Sequence, residues 1–294
     1  MKNVPVNPAT LERLLQLNRQ TPEEIARRLR VPLPRVRAWL AGEDRPTYRQ
    51  ARALAKALKT GIPQLLTDLP ELALPLPDLR RPPHPPDWEL LQVVWETQRK
   101  AEWFASRTTR LSEPGKLATA NPGQAQNVLL AGLGLTGKPR FPSPLTALKW
   151  LVSQVESRGF LVVQPRFDPG QFRGLVLADP YPVIAVSGVI PPEHRVGDVL
   201  HGLLLFLRGQ TGVYREQDSW VKIALPPLYQ TVLAGTWEPR PRAPYTAFQM
   251  RHSPRFTHAL TLAFQAGEVD AKEAACLLGV SLRQAWSFLT RVVK

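Results

Sequence analysis

From Asn7 to Leu66, apolar residues recur at helical spacing in short segments, which predicts a succession of small amphipathic helices. Thr21-Pro22-Glu23-Glu24 has the pattern of a capping box: a hydroxyl cap, proline at the first helical position and a carboxylate three residues after the cap. The helix it opens places Ile25 and Leu29 on one face, four residues apart. A short turn through Arg30-Val31-Pro32-Leu33 leads to a second helix with Pro34 near its start. That helix turns Val36, Trp39 and Leu40 inward and leaves Arg35, Arg37 and Ala38 outward, and Gly42 ends it. A further helix from Thr47 carries Leu54, Ala55 and Leu58 on its inner side.

Prolines 70, 75, 77, 82, 83, 85 and 86 then crowd the stretch Thr67–Pro86, too densely for a helix or a central strand. It reads as a semi-rigid linker, 69–86, between a first domain, 1–68, and a second, 87–294. Three helices are expected next: Asp87 to about Arg107, about Gln124–Leu133, and Pro144–Arg158 with Ser143 as its cap. The period then changes. Phe160–Gln164, Phe172–Ala178 and Pro182–Ser187 are short apolar or β-branched runs split by Asp-Pro and Pro-Gly turns, and they read as strands. A helix over Glu193–Arg208 follows. A helical tail, 253–294, closes the chain in Pro254–Gln265, Asp270–Leu278 and Leu282–Val292. The fold class expected is mainly α with a small β-sheet (α+β).

The 294 residues suffice for two ordinary cores, and no run approaches the eighteen or so apolar residues of a membrane span. Cys276 is the only cysteine, which excludes an intramolecular disulfide and fits a reducing compartment. Nothing in Met1–Pro8 resembles an export signal, so a cytoplasmic protein is expected. The net charge of +14 favours a polyanionic partner, nucleic acid before membrane. Residues 1–68 hold thirteen Lys or Arg against six Asp or Glu, so the excess is concentrated there.

Two short helices, a tight turn and an arginine-bearing outer face suit reading of a DNA major groove. Ile25-Ala26-x-x-Leu29-x-Val31, then Val36-x-x-Trp39-x-x-Gly42, then Arg45-Pro46-Thr47 resemble the XRE (Cro/repressor-like) helix-turn-helix family across about Asn7–Leu66. The resemblance implies a five-helix domain that reads double-stranded DNA. Its contact residues would be Thr21, Leu33, Pro34, Arg35, Arg37, Arg45 and Arg49, with the two helix arginines reading bases and Thr21, Arg45 and Arg49 nearer phosphates. Arg30 stands where that family usually has glycine, and Leu40 where it usually has glutamate.

The second domain resembles the ImmA/IrrE-like metallopeptidase family through Phe172–Leu177, the strand Pro182–Ser187, Val199–Leu207, and a tail from Arg255-Phe256 to Gly279-Val280. That resemblance implies a zincin-like α+β domain whose chemistry needs His-Glu-x-x-His on a helix: two imidazoles grip zinc and the glutamate takes a proton from bound water. Here only His201 matches. Gly202 occupies the glutamate position, Leu205 that of the second histidine, and Asp218 is the nearest counterpart of the third ligand. One ligand of three cannot hold a catalytic zinc, so His201 is a vestigial position and the expectation is no catalytic residue, no metal and no cofactor. His201 should face the former cleft, with Leu205 forming an apolar floor.

His194 and His201 share a helix face but lack a third ligand, because Asp198 is expected to face away. His84, His252 and His258 fall in loop or solvent-facing contexts. Asp270–Ser281 with Gln284-Ala285-Trp286 has the pattern of a second helix-turn-helix or a plain helical hairpin, with Cys276 buried in it. The whole describes a DNA-binding regulator, acting as a homodimer, with a non-catalytic domain that senses a small ligand or holds a protein partner. The alternatives are a zinc metallopeptidase with an altered ligand set, and an antitoxin or defence-system interaction protein.

Overall fold

A computed structural model describes residues 3–18, 20–58, 60–66, 88–108, 121–133, 141–170, 172–214, 219–233 and 246–291. The expected linker 69–86, His84 and Asp218 lie outside the described residues. In chain order the helices α1 (Pro8–Leu17), α2 (Pro22–Leu29), α3 (Leu33–Ala41), α4 (Tyr48–Ala57) and α5 (Ile62–Leu65) come first, then α6 (Trp88–Ala105), α7 (Pro122–Gly132) and α8 (Pro144–Glu156). Strands β1 (Leu161–Val163), β2 (Gly174–Leu177) and β3 (Val183–Val186) precede α9 (Pro192–Leu207) and β4 (Gly212–Tyr214). Helices α10 (Ser219–Leu233), α11 (Ala247–His252), α12 (Pro254–Gln265), α13 (Ala271–Leu278) and α14 (Leu282–Arg291) complete the order. The protein is mainly helical with one small mixed sheet, as the sequence pattern predicts.

The chain divides into two compact units, and the division is not the linear one that the prolines suggest. Among the described residues the first gathers 3–66, 88–96 and 260–291, and the second those of 97–259. The C-terminal hairpin thus belongs to the unit of the N-terminal helices, where α13 packs against α5.

In the first unit, Leu11, Leu14, Ile25, Val36, Trp39, Leu54, Leu58 and Leu65 form a closed core. The starts of α1, α2 and α4 are written in short local signals. Asn7 caps α1 by accepting from the Thr10 amide, while Thr21 and Thr47 close reciprocal capping boxes with Glu24 and Gln50. Gly42 ends α3 in the left-handed conformation (φ 75°) that costs glycine nothing. Arg30 ends α2 in the same region (φ 54°, ψ 47°), where a Cβ is penalised. The α13–α14 hairpin repeats the pattern with an Asp270 cap and Gly279 at φ 62°, and it buries Cys276.

In the second unit the sheet order is β1-β3-β2-β4. β1 runs parallel to β3, with Leu161 opposite Val183, and the other pairings are antiparallel, with Leu175 opposite Ala185 and Val213. All four strands are buried throughout, so they read as continuous apolar runs rather than alternating ones. Helix α9 packs on β2 and β3, and α8 and α10 pack on α9. Ser143 caps α8 as predicted by accepting from the Thr146 amide. At the other end of α8 the Glu156 carboxylate is sealed by donors from the Val162 and Arg255 amides and the Ser253 hydroxyl. Burial pushes this carboxyl up to about 7 even though all three donors favour its charged form. Ser253 supplies its hydroxyl from a left-handed backbone (φ 72°), unusual for a residue with a Cβ.

Candidate functional site

The turn between α2 and α3 runs through three residues, Arg30-Val31-Pro32. Val36 and Trp39 anchor α3 to the core, at 0% and 1% exposure, and that fixes which face of α3 meets solvent. Pro34, Arg37 and Ala41 lie on the exposed face, and Leu33 and Ala38 are half-buried beside them. Arg37 reaches back to α2, where its Nη2 lies 3.0 Å from Glu23 Oε1; both side chains are at least half exposed. Exchange of Glu23 for a phosphate or a guanine edge would cost little there, because exposed ion pairs are worth roughly 0–1 kcal/mol.

Arg35 is placed differently from the outward position read from the sequence. It is half-buried and donates from Nε to Asp44 Oδ2 at 3.0 Å, on the same oxygen that the Trp39 indole approaches at 3.3 Å. The Arg45 amide donates to the other oxygen at 2.7 Å, and together with Arg35 it holds the Asp44 carboxyl below its ordinary value. Arg35 therefore has a part in tying the loop after α3 to the Trp39 core as well as presenting charge.

Thr21 is exposed and spends its hydroxyl on the Glu24 amide, and Arg45 and Arg49 are exposed. Thr21, Arg37 and Leu40 share a concavity of about 530 Å³ with Glu12 and Gln16 of α1. Exposed Arg27, Arg28 and Arg30, unremarked in the sequence reading of contacts, add cations along α2 and its turn.

In the second unit α9 presents His201 to the ring of Tyr214 on β4, with 4.4 Å between centroids. Tyr214 donates to the Asp198 carbonyl at 3.0 Å, and its hydroxyl occupies the space over Gly174, where a Cβ would come within 2.2 Å of it. Asp198 does not face away, contrary to the sequence expectation. It is 1% exposed, accepts on Oδ1 from Arg173 Nε (3.1 Å) and Nη2 (2.8 Å), and lies close enough to His194 to feel its charge. Burial raises the Asp198 carboxyl, and Arg173 opposes that rise.

His201 is itself 1% exposed, so the open, apolar-floored cleft expected beside it is filled by Tyr214 and its neighbours. Leu205 lies in the core at 2% exposure. Gly202 packs on Ile184 of β3 so closely that an added Cβ would lie 2.6 Å from Ile184 Cγ2, leaving no room for a glutamate. Among the described residues no three His, Cys, Asp or Glu side chains are grouped to hold a metal ion.

His252 also departs from its expected solvent-facing position. It is 2% exposed at the end of α11, and burial together with the charges of Lys100 and Arg251 holds its imidazole well below its ordinary value. His258 is exposed, as expected. No described helix is long and apolar enough to cross a membrane. No family model, curated protein or solved structure matches this chain.

Proposed function

We propose that the chain is a sequence-specific DNA-binding transcriptional regulator that reads duplex DNA with α3 and carries a second, non-catalytic unit. The observation behind this reading is the α2–turn–α3 pair itself. Two short helices meet at a three-residue turn, Val36 and Trp39 anchor the second to the core, and Arg37 on α3, Arg27, Arg28 and Arg30 on α2 and its turn, and Arg45 and Arg49 after α3 are all exposed. Helix α3 would enter the major groove by the end that carries Leu33, Pro34 and Arg37, and Thr21, Arg45 and Arg49 would meet phosphates. A short helix reads few base pairs, so a homodimer on half-sites about ten base pairs apart supplies the specificity a genome demands.

The non-catalytic reading of the second unit rests on space. A zinc hydrolase needs an open coordination position and a general base within reach of bound water. The only histidine at the motif position is sealed, and the base position is a glycine wedged on Ile184. Selection of random duplexes by the purified protein tests the function. An enriched motif, especially a palindrome, supports it, and recovery of unenriched sequence refutes it.

A further inference from the structure

The second unit holds a cavity of about 700 Å³ whose described lining carries four cations and no carboxylate. Lys149 comes from α8, Arg166 from the segment after β1, Arg195 from the first turns of α9 and Arg251 from α11. Four elements distant in sequence thus converge on one positive concavity. Among the described residues only Arg195 of these has its side chain engaged, donating to the Ile190 carbonyl (2.7 Å) and to Gln164 Oε1 (3.0 Å), with Glu193 the carboxylate that acts on it. Lys149, Arg166 and Arg251 make no ion pair with a described residue.

Cations gathered this way repel one another unless an anion joins them, and the cost grows where low-dielectric walls focus the field. Gln164 also lines the cavity. It is 2% exposed, its Nε2 has no hydrogen-bond partner among the described residues, and its backbone is fixed by donation to the Arg251 carbonyl. Helix α9 adds the positive end of its dipole beside this cluster, through Pro192 and the uncapped turn behind it. The remaining lining includes apolar Phe248, half-buried, with Met250, Val189 and Leu145. The volume lies within the usual range for small-molecule sites and is far too small for a duplex.

We propose that this cavity binds a nucleoside di- or triphosphate, its phosphates on Lys149, Arg166, Arg195 and Arg251 and its base on the Phe248 wall. The assignment stands on the second unit alone and is independent of the DNA-reading proposal.

Calorimetric titration of the full-length protein with ATP at moderate salt tests it, with inorganic triphosphate, adenosine and a ten-nucleotide single strand as parallel probes. One saturable ATP site per chain is expected, with triphosphate weaker and adenosine weaker still, since both halves of the ligand contribute. The variant Arg166→Ala/Arg251→Ala, whose two side chains have no described partners to lose, should weaken ATP at least about ten-fold, as expected for loss of two charge-assisted contacts. Arg283→Ala, an exposed cation of the first unit, should leave ATP binding unchanged. No saturable binding of ATP or triphosphate up to millimolar concentration would overturn the proposal. So would equal loss in both variants, which marks mere net-charge attraction, and so would a single strand that binds more tightly than ATP and is lost in the double variant.

Discussion

Gly202→Ala isolates the packing that separates this α9 from a catalytic helix. On an isolated helix the change favours folding by about 0.8–1 kcal/mol, because alanine is the better helix former. Here the new Cβ would lie 2.6 Å from Ile184 Cγ2, and Ile184 is fully buried in β3 and cannot swing away. Overpacking of a closed core costs about 1–3 kcal/mol. The two effects leave a net loss of roughly 0–2 kcal/mol, and a unit of this size loses about 2–4 °C in Tm per kcal/mol. Ile184→Ala removes the obstructing methyl, so in that background Gly202→Ala should recover its helical gain and become stabilising. Urea unfolding of the full chain, run as a double-mutant cycle, should therefore show a favourable coupling of about 1 kcal/mol or more. A Gly202→Ala variant more stable than wild type by about 1 kcal/mol, with no coupling to Ile184, would refute the account of why no glutamate fits.

Arg30→Gly should raise the unfolding free energy by about 0.5–1 kcal/mol, read as a higher urea midpoint, since φ 54° is free for glycine and strained for arginine; a lower midpoint would show that Arg30 has a stabilising part the turn conceals. Glu156, held near 7 against 4.5 in an ordinary environment, binds its proton more tightly folded than unfolded. It should therefore contribute up to about 3 kcal/mol of stability below pH 4.5 that is lost as pH rises towards 7. Comparison of the stability–pH slopes of wild type and Glu156→Gln isolates this, because the opposite contribution of His252, whose folded value is depressed, is common to both proteins. Identical slopes from pH 4.5 to 7 would contradict the raised value. Purified protein should hold no stoichiometric zinc by elemental analysis, whereas one zinc per chain lost on His201→Ala would revive the metallopeptidase alternative.

The parts of this protein that were legible in advance are those written in local chemistry. Thr21 with Glu24 and Ser143 before Pro144 announce helix starts within four residues, and both caps form where the sequence places them. Ile25, Val36 and Trp39 were legible as core because helical period puts each on the apolar face of its own helix. The misreadings concern partners far apart in sequence. Asp198 was read as facing away from His194 and His201, and its place is set by Arg173, twenty-five residues earlier. Glu156 carries no local signal of its role, which appears only when Ser253, ninety-seven residues on, reaches its carboxylate. His252 sits near a proline-rich stretch that suggests a loop, and α11 nonetheless turns it into the core. Strand β4 is three residues long, too short for a periodic signal, and Tyr214 on it decides what His201 faces. The pairing of the C-terminal hairpin with the N-terminal helices has no local signature at all.

The central claim is that α3 reads duplex DNA. Its most direct test is fluorescence anisotropy of the full-length protein on its selected duplex and on a scrambled one, across a salt series. The comparison is with Arg35→Ala/Arg37→Ala, with thermal melts confirming that the variant folds after Arg35 releases Asp44. The account predicts preference for the selected duplex by about a thousand-fold or more. Affinity should fall with salt by roughly one log-slope unit per phosphate contact. The double substitution should cost at least the roughly 1–3 kcal/mol of one base-reading arginine, Arg37, in specific binding. Binding that ignores salt, does not distinguish the two duplexes, or survives unchanged in the folded double variant would contradict it.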